Sequence, residues 1–572
     1  MVQEQLWYFS QLAPDNPVYN EAVTIRKRGV LDLDALRAAF NEVVLRHDIW
    51  HSTFQVVDGE PWQVVSPAPT YELPVLDLSG LPTVEAESRA TRLAAADAMR
   101  PYDLERGPLL RPLLVRFADD DHRLYLALHH LIFDGGSLSQ TILPELIALY
   151  DEFAIGGVSP LPSDPVQYAE YATWEREWTT GLQFAKRIEY WKQHLAGAPA
   201  LALPLDRARP ALQAFHGGTE PMHIDAESAR RLREVGRSNG ATLFQTLASV
   251  FAVLLHRYTG EQDIIFGTVA NLRQRLRDEH VVGCCVTPLV LRIDVGDDPL
   301  FTRLLGRVRG DLVDALDNKV PFERLVRALH PLREAGANPI CQAVFVLEPK
   351  VGAVTPTWSL DLTANEVDDA IGHAKFDLSV ELDERPGGDI AGRLIFNTDI
   401  FNRETVRRML SHWDTLLEGV IDNPLRPISE LPLLTAVDER RQLVEWNATE
   451  TDFPRDSCVH HLVTAQAART PDAIAVIDSR GTLSFAELDE QAVGWPPTCA
   501  SVGLALTSSS GSAWSARLTW WWLCLRFSRR AAHTCRSSPT TRPNASRRWS
   551  TTRDRWPSSR PATCANGCAQ AA

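Results

Sequence analysis

The stretch His129-His130-Leu131-Ile132-Phe133-Asp134-Gly135 gathers two imidazoles, a carboxylate and a glycine within seven residues. Together these groups are equipment for acyl transfer. A neutral imidazole can accept a proton at pH 7, a carboxylate can fix a turn, and a glycine N–H can approach a developing oxyanion closely. The apolar run Leu124-Tyr125-Leu126-Ala127-Leu128 predicts a buried strand that delivers the histidines at its end. Neighbouring residues at a strand end point to opposite faces, so only one of His129 and His130 can face a given cavity. Gly135-Gly136 is expected to turn the chain sharply. Ser137 with Gln140 reads as a capping box that opens a helix burying Leu138, Ile142, Leu146 and Ile147. Metal binding is not expected here, because adjacent histidines cannot both face one ion without strain and no third ligand is near. The pair His460-His461 lacks the following Asp and Gly, and no chemistry is expected of it.

These residues belong to a chain of 572 residues with 45% hydrophobic and 23% charged content, enough for two or three domains with sizeable cores. Its formal charge of −15 argues against nucleic acid and against a polybasic membrane anchor as partners. Met1 to Leu12 has no cationic stretch followed by an apolar core, and no run nears the roughly 20 apolar residues of a spanning helix. A cytoplasmic protein with no nucleic-acid or membrane partner is therefore expected. Nine cysteines are few for this length, and Cys284-Cys285 are too close for an ordinary bridge or a metal knuckle. The cysteines are expected to be reduced, with no structural metal.

From Met1 to about Gln491 strands and amphipathic helices alternate, an α/β pattern. Leu33, Leu36, Phe40, Val43 and Val44 mark one helix face. The Pro-rich stretch Ser159–Pro165 is a crossover between two lobes, and Asn423–Pro427 is a second boundary. The expected domains are an N-terminal lobe (1–165), a C-terminal lobe (166–427), a polar linker (428–455) and a new α/β start (456–492) with Ala473–Ile477 as a strand. The remaining residues, 493–572, follow other rules: no Lys, no Glu, one Asp, 11 Arg, seven of the 16 Trp and five of the nine Cys. The tail thus carries +10 and the preceding 492 residues −25. It reads either as a disordered cationic tail or as off-frame translation of a GC-rich gene. The abundance of Trp and Cys favours the second. The cluster Trp520–Leu525 within it is too short to span a bilayer.

Six collinear blocks carry a resemblance. Gln3-Glu4-Gln5-Leu6-Trp7 comes first, then Arg46-His47-Asp48 through Phe54, then the His-His-x-x-x-Asp-Gly block. Tyr168-Ala169-Glu170-Tyr171-Ala172-Thr173-Trp174 and Val282-Gly283-Cys284-Cys285-Val286 follow, and Val320-Pro321-Phe322-Glu323 with Arg333 and Asn338-Pro339 completes the series. Over most of residues 1 to 430 the chain resembles a condensation domain of a nonribosomal peptide synthetase, a relative of the chloramphenicol acetyltransferases. It departs from that pattern at His51, where the family has a second arginine, and at Thr287-Pro288, where it has Asn-Thr. The first block looks entered part-way, which places the expected start of the domain upstream.

The resemblance implies two chloramphenicol acetyltransferase-like lobes in a V-shaped pseudo-dimer, with a tunnel that admits the phosphopantetheine arms of donor and acceptor peptidyl carrier proteins. The implied reaction is attack of a carrier-bound acceptor amine on a carrier-bound acyl or aminoacyl thioester, with thiolate leaving. No cofactor bound by this chain is implied, and the carriers belong to other synthetase modules. His130 is the residue expected to face the tunnel, as general base or as positioner, while His129 packs. The backbone N–H near Gly135 is the candidate oxyanion donor. Asp134 is expected to hold the turn through an arginine; the resemblance favours Arg46, with Arg273 as competitor. Tyr168, Tyr171 and Trp174, at helical spacing, are expected to pack. Residues 456–492 resemble the opening of an adenylation domain, through Arg469–Val476 and Leu483–Leu488. The tail lacks the lysine that ATP chemistry needs, and Thr507–Ser512 imitates a phosphate loop by composition only. An epimerization domain, an acyltransferase using coenzyme A thioesters, and a catalytically inactive carrier-recruiting module are the competing readings.

Overall fold

The computed structural model describes residues 2–330, 336–348, 355–361, 366–452, 456, 457, 459–478 and 481–493. Arg333, Thr507–Ser512, Trp520–Leu525 and the rest of the tail from Gly494 lie outside the described residues. The chain divides into two compact units, Met1–Glu445 and Trp446–Ala572.

In the first unit, strands β1 (Asn20–Arg28), β2 (Ser52–Val57), β3 (Glu60–Val65), β4 (Val75–Asp77), β5 (Leu110–Ala118) and β6 (Asp121–His129) come first along the chain. Strands β7 (Gly217–Ile224), β8 (Asp263–Asn271), β9 (Val286–Asp294), β10 (Ala343–Glu348), β11 (Trp358–Asp361), β12 (Leu378–Glu384) and β13 (Ile390–Asn397) follow. Two mixed sheets result, one ordered β11-β1-β6-β5-β4 and the other β7-β13-β12-β10-β8-β9, while β2 and β3 form a separate hairpin. The sheets organise two lobes. Late in the chain, β11 crosses back to the first lobe and pairs antiparallel with β1, Lys27 opposite Trp358 and Thr24 opposite Asp361.

The first sheet is covered on both faces, which is why its central strand reads as an unbroken apolar run. Leu124, Leu126 and Leu128 of β6 and Val23 and Ile25 of β1 share one core with Leu36, Phe40, Val43 and Val44 of the helix Leu33–Arg46. Tyr125, Ala127 and Ala22 point the other way, onto Ala86, Ala90, Ala94 and Ala98 of the helix Thr83–Ala98. Small side chains there let helix and sheet approach closely. The Leu33–Arg46 helix starts at Asp32, whose carboxylate takes the N–H groups of Asp34 and Ala35 at 3.0 Å.

The second lobe buries the helices Leu243–Thr259, Phe301–Asp317 and Arg403–Asp422 around its sheet in one core that includes Phe251, Phe266, Phe345 and Trp413. The apolar Leu243–Thr259 helix belongs to that core. Among the described residues no single helix is long and apolar enough to cross a membrane. Cys284, Cys285 and Cys341 are buried and unbridged, and no group of His, Cys, Asp and Glu among the described residues is arranged to hold a metal ion.

The second unit contains the helices Val459–Arg469 and Phe485–Val493 and an antiparallel hairpin, β14 (Ile474–Asp478) with β15 (Gly481–Ser484). Ala467 and Leu488 are its buried apolar side chains among the described residues. Ser484 opens the Phe485–Val493 helix by accepting from Glu487 N, while the Glu487 carboxylate accepts from Ser484 N.

Candidate active site

β6 ends at His129, and the chain leaves it in a short 3-10 turn over His130–Ile132. His130 N–H still bonds to Tyr19 C=O at 2.8 Å, and Gln3 Nε2 donates to Leu131 C=O at 2.8 Å, so the turn is pinned by β1's leading residue and by the first helix, Val2–Leu12. His129 keeps the parity of Tyr125 and Ala127. Its ring meets Tyr102 edge-on and accepts Leu131 N–H at Nδ1, 3.2 Å. Burial first, then the neighbouring His130 and Lys375, push its pKa down to about 3, so it is a neutral packing group at pH 7.

His130 turns the other way. Its Nδ1 lies 3.1 Å from Phe133 C=O, and its ring stacks on the Phe133 ring. A carbonyl only accepts, so Nδ1 must carry the proton and Nε2 is left with the lone pair. The ring lines a cavity of about 680 Å³ between the lobes, to which Phe133, Gly135 and Gly136 contribute from the first lobe and Val344, Ser379 and Arg393 from the second. Burial and the charge of Lys375 hold the His130 pKa below its ordinary value.

Asp134 is the anchor beneath this ring. Its carboxylate accepts from Ser137 N and Ser137 Oγ, both at 2.7 Å, from Cys285 N at 2.8 Å, and from Arg273 Nη1 and Nη2 at 2.8 and 3.0 Å. Burial alone would raise its pKa, but Arg273 and the Ser137 bonds outweigh it and hold the carboxyl below the usual range. Arg273 also donates to the carbonyls of Val281 and Gly283, so one guanidinium ties residues 281–283 to the helix start. Gly283, at φ +144°, lies under the Tyr168 ring, where a Cβ would come within 2.0 Å of a ring carbon. Tyr168 Oη then donates to Cys284 C=O at 2.7 Å. Tyr168 and Tyr171 are fully buried, and Trp174 stacks under Arg275.

The structure corrects three expectations. Arg46 does not meet Asp134. Its guanidinium donates to Pro162 C=O at 2.7 Å and approaches Glu145, which also takes His47 Nε2 at 2.8 Å. Asp134 has no oxygen left for a second arginine once Arg273, Ser137 and Cys285 are in place. Gly135-Gly136 is not a sharp turn but the first turn of a helix, with neither glycine at positive φ. The capping box is accordingly Asp134 with Ser137, three residues earlier than the expected Ser137 with Gln140. The helix buries Leu138, Ile142 and Leu146 as expected, and Ile147 partly.

The sequence marked Thr287 only as a departure from the family pattern, with no role, and gave no sign of the pair Glu21 with Lys375. Thr287, where the family pattern differs, accepts Phe322 N–H at 2.9 Å and so caps the helix Phe322–Leu329, whose own flanking residue is Pro321. Glu21 of β1 and Lys375, just ahead of β12, form an ion pair in the cavity wall. Burial would raise the Glu21 pKa and lower that of Lys375, but each holds the other charged, so Glu21 lies below and Lys375 above its ordinary value. No motif in the sequence marked either residue; an acid on a strand at a lobe interface demands a cation, but only the fold brings the two together. The cation lies 354 residues away.

Two mixed-sheet lobes facing one another across a cavity, with a His-His-x-x-x-Asp-Gly turn at its wall, define the two-lobed, chloramphenicol acetyltransferase-like class of acyltransferase. The sequence profile described as "Condensation domain" matches residues 1–444. The chain belongs to the condensation domain family, whose members catalyse peptide-bond formation. It is 36% and 37% identical, over 492 residues in each case, to two of the linear gramicidin synthase proteins of Brevibacillus parabrevis, and both alignments cover 86% of this chain. It spans only 6% and 10% of the length of those two relatives. Among solved structures, the X-domain from teicoplanin biosynthesis superposes with a TM-score of 0.65 at 26% identity, over 76% of this chain and 96% of that one. The two lobes form the V-shaped pseudo-dimer of that fold.

Proposed function

We propose that this chain joins a donor acyl or aminoacyl group to an acceptor aminoacyl group, both delivered as thioesters on the phosphopantetheine arms of separate peptidyl carrier domains, with His130 meeting the acceptor amine. The observation that carries this reading is the fixed tautomer of His130: Nδ1 is committed to Phe133 C=O and the ring lines the cavity between the lobes. A free α-amine titrates at roughly 7.7–8, so near neutral pH part of it is nucleophilic and positioning contributes as much as base strength. Nε2 accepts a hydrogen bond from that amine. The C–N bond forms first and puts the carbonyl electrons on oxygen as a tetrahedral oxyanion, whose collapse breaks the C–S bond, and the proton lost from nitrogen ends on the departing thiolate. Gly135 N–H is the donor we assign to the oxyanion. Asp134 and Arg273 hold the turn, and His129 backs it. Arg46 supports the outer wall through Glu145.

The reading extends to the organisation of the chain. Residues 1–165 and 166–427 are the two condensation lobes, 428–455 a linker, and 456–492 the opening of an adenylation domain, supported by the hairpin and helices found there. The expectation of an off-frame or disordered tail over 493–572 falls, from Gly494 on, outside the described residues. Substrates come from other synthetase modules, and the reaction asks for no cofactor held by this chain.

The test loads donor and acceptor carriers and follows peptide-bond formation by intact-protein mass spectrometry, wild type against His130→Ala. Loss of product in the variant is expected, and unchanged product would remove His130 from the mechanism.

A further inference from the structure

Two ion pairs stand beside His130, and they are built differently. Asp134 with Arg273 is sealed, at 0% and 3% side-chain exposure, and every carboxylate oxygen is hydrogen-bonded. Glu21 with Lys375 is partly buried, at 28% and 35% side-chain exposure, and both side chains line the cavity. Glu21 stands next to Asn20, whose strand partner is His129. Lys375 comes from the other lobe and lies 5.5 Å from the centre of the Tyr19 ring, the residue whose carbonyl holds His130 N–H. An apolar contact would join the lobes at lower desolvation cost, so a pair of opposite charges in a substrate chamber calls for a role in that chamber.

We propose that Glu21 and Lys375 are positioning residues of the condensation step: Glu21 holds the lysine ammonium of the other lobe in the chamber that His130 lines, beside the Tyr19 that carries the His130 turn, where its positive charge opposes a second one on the ring while the acceptor amine arrives. The inference rests on the reading of His130 as the group that meets the amine. The charged and titratable groups that line the cavity with the ring are Glu21 from β1, Lys375 and His373 from ahead of β12, Arg273 from after β8, Glu348 from β10, Glu381 from β12 and Arg393 from β13, while Asp134 and His129 flank the ring along its own turn. Asp134 is offset by Arg273 at bonding distance, and His129 is neutral. Arg393 is paired with Glu381, and Lys375 and Glu21 are the pair that reaches the His130 turn through Tyr19, their charges acting on the ring in opposite senses. A merely structural clasp would treat loss of either partner alike. This one should not: without the lysine, Glu21 invites a proton onto His130, and without the glutamate, Lys375 repels it more strongly.

The test titrates the full chain carrying ¹³C-labelled histidine by NMR, with His130→Gln identifying the His130 signal, in wild type, Lys375→Met, Lys375→Arg and Glu21→Gln. The midpoint should rise by about one pH unit in Lys375→Met, the effect of a nearby unit charge at protein dielectric. It should stay near wild type in Lys375→Arg and fall in Glu21→Gln. The acid limb of the condensation rate between loaded carriers should move in the same directions. A midpoint that stays or falls in Lys375→Met overturns the proposal. Should that variant not fold, Glu21→Gln carries the test, and a midpoint that stays or rises there overturns it. If the midpoints move as expected but wild type makes no peptide, the assigned reaction fails instead. If wild type condenses and neither midpoints nor acid limb move, the pair is a clasp and nothing more.

Discussion

Asp134 and Arg273, 139 residues apart in sequence, form a bidentate ion pair at 2.8 and 3.0 Å in which neither side chain is more than 3% exposed. The pair links the turn that carries His130 to the segment after β8. Its worth lies less in Coulomb attraction than in what either partner would suffer alone, because an uncompensated buried charge is expensive.

Arg273→Ala should therefore lower stability by about 3–5 kcal/mol, read from urea denaturation, and lower condensation rate with it. Arg46→Ala removes a contact that His47 partly replaces at Glu145, and should lower stability by only about 1–2 kcal/mol. A greater loss at Arg46 than at Arg273 would contradict the pairing described above.

His129 makes stability depend on pH. Its folded pKa is about 3 against 6.5 for the free side chain, so between those values the unfolded chain binds a proton that the folded chain refuses. Its contribution is complete above pH 6.5 and shrinks by about 1.4 kcal/mol for each unit of acidification below that. His130 acts in the same sense. Asp134, whose folded pKa is depressed, contributes fully above the ordinary carboxylate range and loses that contribution as pH falls from there to its folded value. Between pH 6.5 and 4 the histidines therefore dominate. Urea midpoints at pH 7.5 and 5.0 should differ less in His129→Asn than in wild type, and an unchanged difference would rule out this source.

Gly283→Ala should destabilise the domain. The added Cβ would fall within 2.0 Å of the Tyr168 ring, at a φ of +144° that side chains rarely adopt. Overpacking of this kind costs about 1–3 kcal/mol, with backbone strain added. Tyr168→Phe keeps the ring and loses only the bond to Cys284 C=O, about 1 kcal/mol. Thermal or urea midpoints should rank the two variants in that order.

Thr287→Val should remove the hydroxyl that caps Phe322 N–H, at a cost of about 1 kcal/mol. Thr287→Ser should retain the cap. Equal stability of the Val and Ser variants would show that the hydroxyl contributes nothing.

What was legible in the sequence was local. The run Leu124–Leu128 announced a strand because both faces of its sheet are covered, and strand parity put His129 and His130 on opposite sides, while the choice of His130 for the cavity came from the family resemblance. The helix face of Leu36, Phe40, Val43 and Val44 was equally plain. Two kinds of feature were not legible. Glycine permits many conformations without specifying one, so Gly135-Gly136 suggested a turn where the chain makes helix, and the capping box was displaced by three residues with it. Long-range charge pairing was hidden as well: nothing between residues 46 and 273 indicates which arginine reaches Asp134, and Glu21 finds Lys375 only once two lobes are assembled.

The return of Trp358–Asp361 to the edge of β1 bears on how this domain could be recombined with others. A graft that exchanged only the leading portion of the chain would set β1 of one parent against the returning strand of another, and a mismatch there would bare a row of backbone donors and acceptors ready to zip onto any passing strand. The edge-on contact of Trp358 with Tyr150 would be split between parents in the same way. Hybrid synthetases built from this protein should carry both segments from one parent.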